Sequence, residues 1–365
     1  MPSRRAYGFD SRAAKKGYKI LELKQFICAL ADLMSITGYE SYDRDRLLAL
    51  MQGFDESYTD TVGNHVFVRR SGKKNAPKIL IDTHFDEIGM LVTDIKEGGF
   101  LTVTSVGGLD VRTLSSARVR VYGKEVIDAV VSSTPPHLSG DEKKLPRTEE
   151  LLIDTGYPTE ELRELVRIGT PVGFYPMYRT LAGGRLTGKG LDNKACAAIA
   201  AAALLEIPAS QLAGDVYLLL SVHEETDHIG GTAVGGFALM PDYAMVIDVN
   251  LGYMSGAERR DCVEMGKGPS VARSAIVDRR LTAMTEALAT RENIPWQIAV
   301  EPKSTGTNTE ALHLVGAGIS VVDVGLPLTA MHTYQEVLDM RDADALKRLV
   351  EAFVTDKEIA EVFAV

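Results

Sequence analysis

The stretch IDTHFDEIGM, residues 81–90, places His84, Asp86 and Glu87 within four positions, directly after the apolar run KILID. An imidazole and two carboxylates are costly to bury unpaired, so a strand that ends in them needs water, a salt bridge or a metal ion. Other apolar runs end the same way. YLLLSVHEE delivers His223, Glu224 and Glu225, AMVIDV delivers Asp248, and VVDVGLPLTAMHT brings His332 after a loop. In GKGLDNKA, Asp192 stands where an alanine-rich helix begins. Each has an ordinary reading when taken singly: a lone histidine as a hydrogen-bonded structural residue, Asp192 as a helix cap, Glu224 and Glu225 as a solvated strand end. Asp248 is harder to dismiss, because it follows a strongly apolar run. Together these segments supply the mixed imidazole and carboxylate shell that suits zinc and tolerates cobalt or manganese. On a regular strand the neighbours Glu224 and Glu225 would point to opposite faces. The strand therefore ends there, and a turn lets one carboxylate bind metal while the other moves a proton.

The elements that must position these groups follow from periodicity. Leu21 to Met34 and the segment after Gly38 read as amphipathic helices, VGNHVFVRR as a half-exposed strand and KILID as a buried one. After Asp86 come short strand-like runs, MLVTDI, FLTVTSV, ARVRVYG and VIDAVVSS, separated by glycines and charges. From GKGLDNK onward, helices alternate with the buried strands DVYLLLSV, YAMVIDV, WQIAVE and ISVVDV. The expected fold is α/β: a mainly parallel sheet covered by helices, formed by residues 1–90 and 182–365 and interrupted by a β-rich insertion at 91–181. In such sheets ligands bind at the carboxyl ends of the strands, where the candidate donors lie.

A net charge of -10 over 365 residues leaves no overall basic field for nucleic acid or an anionic membrane. MPSRRAYGFDSRAAKKGYKI lacks an apolar core and is expected to be a short mobile arm. No run is long and apolar enough to span a bilayer, so the expected location is cytoplasmic. Cys28, Cys196 and Cys262 lack paired spacing and read as small buried hydrophobes.

An ordered series of motifs carries a more specific signal: DTVGN at 60–64, HFDEIG at 84–89, PPHL at 135–138, LIDTG at 152–156, GKGLDNK at 188–194, HEETDHIGGTA at 223–233, GKGPS at 266–270 and MHTYQEV at 331–337. In this the chain resembles the M42 family of metalloaminopeptidases, including the glutamyl and tetrahedral aminopeptidases. The resemblance implies a hydrolase that removes N-terminal residues from short peptides with two divalent ions per subunit, zinc first and cobalt or manganese as substitutes. It implies that Asp192 bridges the ions, that His84 and Asp248 complete one shell and Glu225 and His332 the other. Glu224 would activate a metal-bridged water, and Asp86 would orient His84. The insertion would be a dimerisation domain, with subunits assembling from dimers into a tetrahedral dodecamer.

Asn308, where an aspartate is common, and His223, Thr226, Asp227 and His228 depart from the family pattern without removing a ligand. His223 and His228 are either extra polar contacts or ordinary surface histidines. Arg259, Arg260 and Lys267 either favour an acidic substrate side chain or are surface charge. The alternatives are a metal-dependent carboxypeptidase or amide deacylase, an endoglucanase-labelled hydrolase, for which a metal cluster is foreign chemistry, and an assembly protein without catalysis.

Overall fold

The computed structural model describes residues 21–133, 146–226 and 230–364. The expected arm, PPHL and His228 lie outside the described residues. The chain opens with α1 (Leu23–Ala31), α2 (Arg44–Leu50), β1 (Glu56–Thr59), β2 (His65–Arg69) and β3 (Lys78–His84). It then forms β4 (Gly89–Lys96), β5 (Phe100–Val106), β6 (Arg118–Tyr122), β7 (Val126–Val131), β8 (Leu152–Asp154), α3 (Thr159–Leu165) and β9 (Pro171–Phe174). The return runs through β10 (Arg179–Thr180), β11 (Arg185–Gly188), α4 (Leu191–Glu206), β12 (Asp215–Ser221), α5 (Gly230–Leu239), β13 (Tyr243–Leu251) and β14 (Ser270–Ser274). The chain closes with α6 (Arg279–Arg291), β15 (Gln297–Glu301), α7 (Thr309–Leu312), β16 (Ser320–Thr329), β17 (Glu336–Asp339), α8 (Met340–Thr355) and α9 (Lys357–Phe363).

The large sheet runs β1-β2-β12-β3-β13-β16-β17-β11-β10, with β14 and β15 branching from β16. It is mixed, not mainly parallel. β12, β3, β13 and β16 run parallel at its centre, where helices carry the chain between strands. The flanks are antiparallel because short turns join β1 to β2, β10 to β11 and β16 to β17. β2, expected to be half-exposed, is buried at every position, since Phe67 packs into the core on the α4 face of the sheet and Val66 and Val68 into the core on the opposite face.

The centre is parallel because α4 can lie flat against it. Ala195, Ala197, Ala198, Ala200, Ala201 and Ala203 are fully buried, and their small side chains let the helix pack between the sheet and the outer helices α1 and α8. On the opposite face Leu80, Leu219, Val246 and Val321 pack with Leu239 of α5 and Leu312 of α7. The insertion closes its own barrel, β4-β5-β8-β7-β6-β9. Alternation builds it: in β7, Ile127, Ala129 and Val131 point inward while Val126, Asp128 and Val130 face out. Leu101, Val119, Ile153 and Val172 fill the rest of that core.

The chain enters the barrel between the end of β3 at His84 and the start of β4 at Gly89, and returns to the sheet between β9 and β10; β11 then ends at Gly188 and α4 starts at Leu191. Of the three cysteines, all unpaired, only Cys196 is fully buried. Cys28 and Cys262 are half-buried, a correction to the reading of all three as core. Among the described residues no helix is long and apolar enough to cross a membrane.

Enlarging a side chain on the buried face of α4 should strain this packing. Ala200→Leu is expected to cost about 1–3 kcal/mol, read as a lowered urea midpoint with an unchanged slope.

Candidate metal centre

His84 is the last residue of β3, and its Nδ1 lies 3.0 Å from the carbonyl oxygen of Asp86. A carbonyl only accepts, so Nδ1 carries the proton and Nε2 presents its lone pair. That Nε2 lies 3.2 Å from Asp192 Oδ1, 3.5 Å from Asp248 Oδ1 and 3.8 Å from Glu224 Oε2. His332, in the turn between β16 and β17, repeats the pattern. Its Nδ1 donates to the carbonyl of Gly108 at 2.9 Å, and its Nε2 faces Glu225 Oε2 at 3.6 Å and Asp192 Oδ2 at 3.8 Å. The Asp192 carboxylate thus stands between two imidazoles, one oxygen turned to each.

Lone pairs here point at lone pairs, and Asp192 Oδ1 is buried with no hydrogen-bond partner. A proton on His84 Nε2 relieves one such contact, a cation between the groups relieves them together, and the residues fit a cation. Ligand atoms of His84, Asp192 and Glu225 lie within 4.8 Å of one another, and their nitrogen and oxygen donors suit a divalent transition ion. With side chains alone to answer the charge, the groups disturb each other strongly. Burial alone would lower His84, yet the Asp248 and Glu224 carboxylates hold it well above its ordinary value. Burial, then Asp248 and Asp192, push Glu224 up to about 8 against the pull of His84. Burial and Asp192 raise Glu225 far above the usual carboxylate range.

The surroundings hold the donors by their backbones. Asp86, expected to orient His84, brings its Oδ1 to 3.6 Å from Nδ1, while its carbonyl oxygen accepts from that nitrogen. The carboxylate instead accepts from Glu224 N at 3.2 Å, Glu225 N at 3.1 Å and the Thr37 hydroxyl at 2.8 Å. It holds the turn in which β12 ends, where His223 takes φ +66°. Asn64 holds the other side, accepting from Val222 N at 3.0 Å and donating to Gly231 O at 2.8 Å. That is the physical content of the DTVGN motif.

Asp192 makes no capping bond; its own amide and that of Leu191 donate to the buried Glu336 at 3.1 and 2.7 Å. Glu87 is satisfied by a salt bridge. Lys189 Nζ lies 2.8 and 2.9 Å from its two oxygens and Lys194 Nζ 3.0 Å from one. Gly190 turns between them at φ +61°, and a Cβ there would lie 2.6 Å from Glu87 Oε2. Burial draws Lys194 down to about 7 while Glu87 opposes the fall. Asn64, Lys189 and Glu336 lie within DTVGN, GKGLDNK and MHTYQEV, but composition and periodicity give no sign of the part each plays. Lys194 stands inside GKGLDNK, and its charge on the start of an otherwise apolar helix was the available clue.

Asn308 is buried and donates to Ser221 Oγ at 2.7 Å, the residue beside His84 in the sheet. Arg259 pairs with Glu264 at 3.0 Å and Arg260 approaches Asp261 at 3.6 Å, all on the surface; Lys267 is exposed. The surface-charge reading of these three fits that placement.

A family model described as M42 glutamyl aminopeptidase matches residues 63–349. The chain is 29% identical over 331 residues to a lysyl aminopeptidase of Pyrococcus furiosus, across 88% of this chain and 93% of the relative. Among solved structures it is similar to an aminopeptidase from the archaeon Desulfurococcus kamchatkensis, with a TM-score of 0.85 and 28% identity over 93% of this chain and 98% of that one. It is also similar to the TET1 peptidase of Pyrococcus horikoshii, which can assemble into a tetrahedron or a large octahedral shell, with a TM-score of 0.81 and 28% identity over 91% and 99% of the two chains.

A specific ion raises the stability of the state that binds it, by about 2.7 kcal/mol at a hundred times its Kd. Saturating zinc should therefore raise the melting temperature of the metal-stripped protein, and Asp192→Asn should abolish the rise. Glu87→Gln leaves the buried Lys189 and Lys194 without their carboxylate and should cost about 3–5 kcal/mol in denaturant unfolding; a loss below about 1 kcal/mol would contradict the account of the cluster.

Proposed function

Because the chain belongs to the M42 peptidase family and is a hydrolase of peptide bonds, we propose that it is a metal-dependent aminopeptidase releasing N-terminal residues from short peptides. The observation that carries this reading is the Asp192 carboxylate placed between His84 Nε2 and His332 Nε2. In it, His84, Asp192 and Asp248 hold one divalent ion, and Asp192, Glu225 and His332 a second. Zinc is the first choice and cobalt or manganese the substitutes. Two such ions, when bound, acidify water and polarise the scissile carbonyl.

The chain's own residues supply positioning and proton transfer. Asp86 fixes the backbone of Glu224 and leaves its side chain free. Glu224 Oε2, beside His84, takes the proton from the attacking water and delivers it to the departing amine nitrogen. Glu225, one residue on and turned toward His332, binds metal and takes no part in that transfer. Asp86 acts on catalysis by aiming both glutamates.

The same reading divides the chain into a catalytic domain, residues 1–90 and 182–365, and an inserted barrel, residues 91–181, through which copies pair, although β4 already joins the barrel at Gly89 and β10 is back in the large sheet at Arg179. Val126, Val130 and Leu152, all at least 37% exposed on the outer barrel face, support self-association. So does the shell formed by the Pyrococcus horikoshii relative, and we extend it to a dimer that builds a tetrahedral dodecamer. Unpaired cysteines suit a cytoplasmic setting.

Peptides with free N-termini should be shortened from that end and their N-acetylated counterparts should not. Chelation should stop release, and zinc, cobalt or manganese should restore it. Glu224→Gln should lower kcat by about 10²–10⁴ with metal content unchanged. A fully active Glu224→Gln would remove Glu224 from its role, and C-terminal release would replace the aminopeptidase by a carboxypeptidase.

A further inference from the structure

His332 differs from the other proposed ligands in how it is held. Its side chain is 41% exposed, against 2% for His84, 6% for Asp192 and 5% for Glu225. It stands in a turn at φ +61°, and the hydrogen bond that sets its ring comes from outside the large sheet, from the Gly108 carbonyl at 2.9 Å. Gly108 lies just past β5, on the barrel.

This loop meets the centre at more than one atom. Asp110 N donates to His332 O at 3.4 Å, and a Cβ on Gly107 would come within 3.1 Å of Glu225 O. Two residues beyond His332, Tyr334 packs on the barrel core, its ring 6.2 Å from that of Phe174. The loop is itself firmly seated. Leu109 and Val111 pack on the barrel core. Asp110 accepts from Arg112 N at 3.0 Å and from the Arg112 guanidinium at 2.8 and 2.6 Å.

We propose that the barrel loop Val106–Asp110 is a positioning element of the metal centre, in which the Gly108 carbonyl fixes the tautomer and direction of His332 and so sets the affinity of the ion shared by Glu225 and His332. The inference rests on His332 being a metal ligand. A carbonyl behind a metal-binding imidazole holds the proton on the far nitrogen and the ring in line, and loss of such a partner lowers metal affinity about 10–100-fold. Gly108 is glycine for space. A Cβ there would lie 2.8 Å from His332 Nδ1 and 3.3 Å from Cε1, with no other atom within 4 Å. Its φ lies outside the left-handed range, so an alanine strains no backbone and presses on His332 alone.

Gly108→Ala, His332→Ala and the parent protein, all metal-stripped, would be titrated calorimetrically with zinc and assayed across a zinc series. The expected result for Gly108→Ala is one of two binding events weakened about 10–100-fold, the other unchanged, kcat recovered at high zinc, and a metal-free melting temperature equal to the parent's. His332→Ala should lose the same event. Parent-like binding of both ions by Gly108→Ala, while His332→Ala loses one, would overturn the positioning role and leave the metal site standing. A lowered metal-free melting temperature without recovery at high zinc would make Gly108 a structural residue and also overturn it. Binding of both ions by His332→Ala would instead refute the ligand assignment beneath the proposal.

Discussion

Glu87 lies between two ammoniums in a place that water does not reach, 2.8 Å from Lys189 and 3.0 Å from Lys194. One carboxylate shared by two lysines is a tightly constrained arrangement, since removing the carboxylate leaves buried positive charge with no partner. It joins the segment leading from the sheet into the barrel, which carries His84 and Asp86, to the segment following the barrel, which carries Asp192. Both lysines also donate to Leu33 O, at 3.2 and 2.7 Å, and Ser35 O accepts from Glu87 N at 2.9 Å. The end of α1, the head of α4 and the link after β3 therefore meet at one charge cluster. The donors contributed by two of those segments are registered against each other before any ion is considered.

The candidate ligands were legible in the sequence for a physical reason. Asp248 ends the apolar run YAMVI and His84 ends a buried strand that already carries Asp82 and Thr83, and such violations of burial need partners. The central strands were legible for the same reason, as continuous apolar runs between helical segments. What escaped was set by packing and pairing partners. β2 alternates like a strand with one wet face, yet the cores on both faces of the sheet bury it. β11 and β17 are short, and their antiparallel pairing at the flank follows from turns whose geometry the residues alone do not announce. The groups that hold the site escaped too. Glu336 and Asn64 act on main-chain amides far away in sequence, and Gly108 acts through a carbonyl, which every residue possesses.

That last point describes a general feature of this centre. Both imidazoles donate Nδ1 to main-chain carbonyls, of Asp86 and Gly108, while the carboxylates of Asp86 and Glu336 accept from main-chain amides at Glu224, Glu225, Leu191 and Asp192. Side chains hold the backbone of the candidate donors, and backbone holds the rings. The geometry of the donors is thereby tied to main-chain paths of the fold, which move less readily than rotamers do.

Helix α4 shows what this attachment demands. With small alanines along its buried length it has little relief to interlock with its neighbours, so its roll and its position along its axis must be indexed at the ends. At its head, Glu336 holds the first amides and Lys194 enters the charge cluster. At its tail, the Arg69 guanidinium donates to the carbonyls of Leu204 and Ile207. The helix behaves as a spindle between two bearings. Inserting one residue between them would turn one end by about 100° and shift it by about 1.5 Å relative to the other. The length of α4 is therefore a working dimension of the site, set by the distance between its bearings, and point substitutions can vary along it more freely than its residue count.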